Sequence, residues 1–267
     1  METRKEILEC GIFEMEYATF GNGSIPFVIL PGMSVKSPLL FADQVGSRFR
    51  MFSENFTAYI FDRRRELPEG CTTEDLADDT ALAMKKLGIS DACIYGASQG
   101  GMIAMEIAIR HPELAGGLFL ASTLSRQNET CRDTLNIWIP LARKGDPVPL
   151  NREIFSRVYS PAFQKRYEKV LKHIEGQGTA DEIRRFRIMA EAARSFDIYD
   201  SLDSIHCPVF VTGVEDDTVL GGCGSKEIAA RLGCGIRVFS GKGHAVYDEE
   251  PGFPQMIYDY FINNINN

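Results

Sequence analysis

The sequence predicts an α/β protein: an open, mostly parallel sheet with helices on both faces and one helical insertion. Three observations carry that expectation. Short apolar runs recur at residues 27–30, 57–61, 92–95 and 117–121, and two further runs follow at 208–212 and 236–239. Such runs suit strands buried on both faces, as in a parallel sheet covered by helices. Helical patterns lie between most of them, and alternating strand and helix builds sheets of this kind. The exception is the long stretch from residue 124 to 205, which has helical segments and no convincing strand.

Taken in order, residues 7–20 are rich in β-branched and aromatic side chains and stop at Gly21-Asn22-Gly23, which predicts an antiparallel hairpin or a bent strand. A helix is expected to begin at Thr73, with Leu76, Thr80, Ala83 and Leu87 on one face. Acids crowd its first turns, lysines its last, and Gly88 stands where a C-terminal stop belongs. Residues 99–110 are apolar almost all round and predict a buried helix. Further helices are expected at 225–232 and 253–262.

The insertion differs in charge from the rest. Residues 124–205 hold 14 Lys plus Arg and 12 Asp plus Glu, a net +2, which leaves −10 for the remainder. A stretch of that size flanked by sheet strands is expected to pack over the sheet rather than fold apart from it. The chain therefore divides into a core, 1–123 with 206–267, and an inserted helical region, 124–205.

With 267 residues, 44% hydrophobic and 25% charged, the chain fits one large domain or a domain carrying an insertion, and excludes collagen-like, disordered and coiled-coil classes. The 37 acids against 29 basic residues give −8, the opposite of the balance that phosphate contacts require, so no nucleic-acid partner is expected. Seven cysteines, an odd number with no C-x-x-C pair, predict reduced thiols in a cytosolic protein. No segment approaches the ~18 apolar residues of a membrane span. The charged start lacks the apolar stretch of a signal peptide. The expectation is a cytoplasmic monomer or homodimer without a membrane partner.

Chemistry concentrates at the end of the run 92–95. There Gly96-Ala97-Ser98-Gln99-Gly100 forms G-x-S-x-G between a predicted strand and a predicted helix, the context in which that pattern presents a serine nucleophile. A serine needs a base, and the base an orienting acid. Of four histidines, His111 reads as a helix stop, His173 lies among charges in the insertion, and His206 opens a strand. His244 alone follows the end of a strand on a flexible loop, Gly241-Lys242-Gly243-His244, where α/β sheets form their sites. The loop after the strand at 208–212 offers three acids in a row, Glu215, Asp216 and Asp217.

The chain resembles the α/β-hydrolase superfamily along nearly its whole length. The matching motifs are Leu-Pro-Gly-Met-Ser at 30–34, Phe-Asp-Arg-Arg at 61–64, the elbow at 96–101, Gly-Val-Glu-Asp at 213–216 and Gly-Lys-Gly-His at 241–244. The resemblance implies an α/β-hydrolase fold, Ser98 as nucleophile, His244 as general base and Asp216 as the orienting acid. Asp216 is preferred to Asp217 because it falls three residues after Gly213, early enough in the loop to point inward. The resemblance also implies oxyanion donors at the backbone N–H groups of Met33 and Gln99, and a helical cap formed by the insertion. Two departures stand out: Pro31-Gly32 replaces a frequent His-Gly, and Arg65 follows Asp62-Arg63-Arg64 where glycine is common.

The expected reaction is acyl transfer to water by a serine esterase, with enol-lactone and thioester hydrolysis in the same class. No cofactor or metal is implied, since neither an H-E-x-x-H nor a phosphate-cradling loop is present. Carbon–carbon bond hydrolysis, an aminopeptidase or a non-hydrolytic small-molecule receptor are the alternatives on the same fold. The aminopeptidase is disfavoured because that family usually has Trp where Gln99 stands. Trp138, Phe155 and Phe186 are the apolar candidates to hold a small substrate, and one of Arg184, Arg185 and Arg187 is the candidate to pair with an anionic group on it.

Overall fold

A computed structural model describes residues 3–265. The hairpin is β1 (Arg4–Glu9) and β2 (Glu14–Gly21). There follow β3 (Ile25–Leu30), the short helix α1 (Ala42–Arg48), β4 (Phe56–Arg64), α2 (Thr73–Lys86), β5 (Ala92–Ala97), α3 (Gln99–Arg110) and β6 (Ala115–Ala121). The insertion comprises α4 (Glu129–Lys144), α5 (Pro147–Val158), α6 (Pro161–Ile174) and α7 (Ala180–Arg194). The chain then closes with β7 (Val209–Val214), α8 (Cys223–Leu232), β8 (Gly235–Phe239), α9 (Val246–Glu249) and α10 (Phe253–Ile265).

The strands form one eight-stranded sheet in the order β1-β2-β4-β3-β5-β6-β7-β8. β1 and β2 are antiparallel, as are β2 and β4, and every pairing from β4 to β8 is parallel. Successive side chains of a strand point to opposite faces, and the two cores divide accordingly. Val28 and Leu30 face a core shared with α2, α3, α8 and the insertion, whereas Phe27 and Ile29 face the side covered by α1 and α10. The second core is aromatic: Phe27 stacks on Phe52 with ring centroids 4.4 Å apart and meets Phe261 edge-on. α3 is buried over Gln99–Ala108, matching its apolar sequence all round.

The helices carry the stop and start signals that their sequences advertise. Thr72 accepts from Asp75 N–H while the Asp75 carboxylate accepts from Thr72 N–H, a reciprocal cap that starts α2. Thr179 and Glu182 do the same for α7. Within the insertion α4 packs on α7, and its two connections to the core are joined. An isolated antiparallel backbone β-bridge pairs Arg126 with Asp197, and Ile198 N–H donates to the Ser125 carbonyl at 2.8 Å. All seven cysteines are unpaired thiols. Among the described residues no helix is long and apolar enough to cross a membrane.

Candidate active site

Because β3, β5, β7 and β8 run the same way, the segments that follow them gather at one edge of the sheet, where open α/β sheets place their ligands. Ser98 follows β5 immediately. Its φ of 54° and ψ of −121° place a β-carbon-bearing residue in the left-handed half of the map, at a cost of order 1–3 kcal/mol. The surroundings enforce it. Ser98 N–H donates to the Ala121 carbonyl (2.8 Å), and the Ser98 carbonyl accepts from Thr123 Oγ1 (2.8 Å) and Gly101 N–H (2.9 Å). A Cβ on Gly100 would overlap the Leu30 carbonyl, so only glycine lets the helix start this close to β3.

Gly32, after β3, faces the serine: a Cβ there would stand 3.0 Å from that of Ser98. Among the described residues, neither Met33 N–H nor Gln99 N–H has a protein acceptor. The Gln99 side chain turns away from the serine and donates to the Met189 carbonyl of α7 at 2.7 Å, tying the elbow to the insertion. Where the sequence substitutes Pro31 for histidine, support comes from across the sheet: Arg63 Nη2 donates to the Pro31 carbonyl at 2.7 Å.

His244 lies in the segment after β8. It is 2% exposed, and its Nδ1 is 2.7 Å from Oδ2 of Asp217, itself 6% exposed. The expectation that Asp216 orients the histidine is corrected here: Asp216 is exposed, and its neighbour makes the contact. The reason is one residue of register. β7 runs on through Val214, and Glu215 N–H still bonds the Phe239 carbonyl of β8, so Glu215 and Asp216 form the exposed tip of the turn. Asp217 is the first residue to fold back. Its other oxygen, Oδ1, accepts from Val219 N–H (2.8 Å) and Leu220 N–H (2.9 Å). Burial opposes ionisation of Asp217, but the charge and hydrogen bond of His244 and the two backbone donors outweigh it and hold the carboxyl below its ordinary value.

The histidine loop is locked from the far side. Ala245 N–H donates to the Val158 carbonyl, and a Cβ on Gly243 would lie 2.5 Å from Ser160 N, so the loop can pass only as glycine. The Glu249 carboxylate accepts from Gly243 N–H (3.1 Å), Ser160 N–H (2.7 Å) and Ser160 Oγ (2.6 Å). Among the described residues no hydrogen bond joins Ser98 Oγ to His244 in this state; such bonds are often long before substrate arrives.

The apolar candidates of the insertion are all buried. Phe186 is wholly buried and packs its ring 5.9 Å from that of Trp138, and both belong to the core between α4 and α7. Phe155 lies against Tyr159, with centroids 5.0 Å apart. A residue passed over in the sequence as a site group, Arg63, instead lines the cleft beside Gly32. Its signal was a charged residue continuing an apolar strand, which the eye reads as the strand's end.

Comparison with known proteins decides the family. A model of the alpha/beta hydrolase family matches residues 27–253. The chain belongs to the alpha/beta hydrolase family. A protein named putative carbamate hydrolase RutD from Rhizobium rhizogenes is 27% identical over 195 residues, covering 70% of this chain and 72% of its own. A 3-oxoadipate enol-lactonase 2 from Acinetobacter baylyi is 24% identical over 230 residues, covering 80% of each. Among solved structures, MGS-M2, an alpha/beta hydrolase enzyme from a deep-sea metagenome library, superposes with a TM-score of 0.85 at 20% identity, covering 96% of this chain and 97% of its own. This alpha/beta hydrolase has the mostly parallel sheet with helices on both faces expected from its sequence, and the sheet has eight strands.

Proposed function

We propose that this alpha/beta hydrolase cleaves a carboxylic ester, lactone or thioester of a small molecule through Ser98, His244 and Asp217. The observation that carries the reading is the buried Asp217–His244 pair at the same sheet edge as a serine held at positive φ. Asp217 accepts from His244 Nδ1, which leaves Nε2 as the base. In the proposed cycle Ser98 Oγ attacks the acyl carbon and its proton passes to Nε2. The oxyanion is met by Met33 N–H and Gln99 N–H, two donors with no acceptor among the described residues. Collapse expels the leaving group, which takes the proton from His244. Water then attacks the acyl-enzyme, with Nε2 again accepting and returning a proton. Residues 124–205 serve as the cap over this site.

The relatives' names favour including carbamates and enol-lactones in the search for a substrate. The test is turnover of a panel of ester, lactone, thioester and carbamate substrates by wild type and Ser98→Ala. Loss of about 10⁴-fold or more in kcat for the variant is expected, with unchanged thermal unfolding. Undiminished turnover by Ser98→Ala would reject the assignment.

A further inference from the structure

We propose that two copies of this chain join edge to edge through β1, antiparallel and centred on Ile7, so that the sheet continues from one copy into the other. The inference goes beyond the hydrolase reading and does not depend on it. β1 is one edge of the sheet, and Arg4, Lys5, Glu6, Ile7 and Glu9 are all exposed, Ile7 at 55%. Such an edge offers a row of free backbone donors and acceptors, the template for pairing with another strand.

The hairpin fixes which backbone groups of β1 are free. Cys10 N–H donates to the Phe13 carbonyl (2.8 Å), so Cys10 and Phe13 form a hydrogen-bonded pair. Bonded and non-bonded pairs alternate along an antiparallel ladder, and the register sets Glu9 against Glu14, Ile7 against Glu16 and Lys5 against Ala18. Glu9, Ile7 and Lys5 therefore turn their N–H and C=O groups outward. The Glu14 carbonyl agrees: it accepts from Arg65 N–H (2.8 Å), on the side away from β1.

Two β1 strands can bond only in registers that set these outward residues opposite one another, and charge chooses among such registers. Centring on Lys5 or on Glu9 would oppose like charges. Centring on Glu6 or Leu8 would set Ile7 against Lys5 or Glu9. Centring on Ile7 sets Lys5 against the partner subunit's Glu9, and Glu9 against the partner subunit's Lys5, with the two isoleucines between them on one face. Both charges are available for this. Among the described residues, no salt bridge or side-chain hydrogen bond engages Lys5 or Glu9. Within the chain Glu9 faces Glu14, a like charge already matched by Arg65 at 2.7 Å. The opposite edge, β8, lacks this complementarity: pairing about its centre would set Arg237 against its own copy.

The experiment is sedimentation velocity of the full chain over about 1–200 µM, the range in which an interface of modest size shows itself. Wild type is expected to pass from monomer to dimer. Lys5→Glu opposes glutamates at both ends of the pairing and should raise the dimer Kd about tenfold or more, and Lys5→Glu/Glu9→Lys should restore it to within about threefold. Ile7→Pro removes an N–H that points away from β2, so it should abolish the dimer while circular dichroism and Tm stay near wild type. The charge exchange touches no buried group and decides the matter even if Ile7→Pro unfolds. Ile7→Cys, at the two-fold axis where paired α-carbons lie about 5.5 Å apart, should give an interchain disulfide between the two substituted positions on mild oxidation. Wild type that stays monomeric across the range overturns the proposal and leaves β1 as a charged edge that turns other strands away. A dimer indifferent to Lys5→Glu, or one that the double exchange fails to restore, places the interface elsewhere and overturns it as well.

Discussion

Asp217 and Asp216 differ by one position and by everything that matters to a histidine. Asp217 is buried with three donors on its two oxygens; Asp216 is at a solvated turn tip. Asp217→Asn is therefore expected to lower kcat by about 10⁴, because an amide favours the wrong His244 tautomer, whereas Asp216→Asn should change it little. Steady-state kinetics on one ester separates them; equal losses would return the choice to the loop as a whole. The carboxyl also has a pH signature. A group held below its ordinary 3.8 in the fold contributes stability that is fully present above that value and lost as pH falls through the lower, folded one. The stability gap between wild type and Asp217→Asn should accordingly narrow as the pH drops below 3.8, read from urea midpoints. The sequence showed three candidate acids, and only the extra residue of β7 decides among them.

At the scale of elements, Glu249 joins parts distant in the sequence. At the end of α9, one carboxylate holds both the loop that carries His244 and Ser160, whose hydroxyl caps α6. Glu249→Ala removes three charge-assisted bonds at once and should cost about 1.5–3 kcal/mol, or several degrees in Tm for a chain of this size. It should lower kcat/KM as well, since the histidine loop loses a tether. Thermal unfolding with parallel kinetics checks both, and a wild-type Tm would show the contact to be idle. Nothing in the local sequence marks this residue, because its partners lie six and 89 positions away.

Over the whole molecule, the parallel strands were the most legible feature. Each apolar run became a strand; for the inner strands burial on both faces leaves no reason for polar residues, while β8, at the sheet edge, keeps Ile236 and Arg237 exposed. Legibility failed where the fold buries charge or uses short elements. β4 outlasts its apolar run by carrying Asp62 and Arg63 inward, and α1, seven residues without a side-chain cap, left no periodic signal. In the insertion the sequence marked three arginines, but only tertiary packing shows that Arg185 donates to the Arg63 and Arg64 carbonyls while its neighbours face glutamates. Likewise only the fold shows that Trp138 and Phe186, far apart in the sequence, pack their rings against each other between α4 and α7.

The proposed mechanism requires Ser98 to carry an acyl group during turnover. The direct measurement is acid quenching of wild type within its first turnovers of a 4-nitrophenyl ester, followed by peptide mass mapping. A mass increase equal to the acyl group is expected on the peptide containing Ser98, together with a burst of nitrophenol that matches the enzyme concentration. Steady hydrolysis with no acylated peptide, or with the acyl group on another residue, would contradict it.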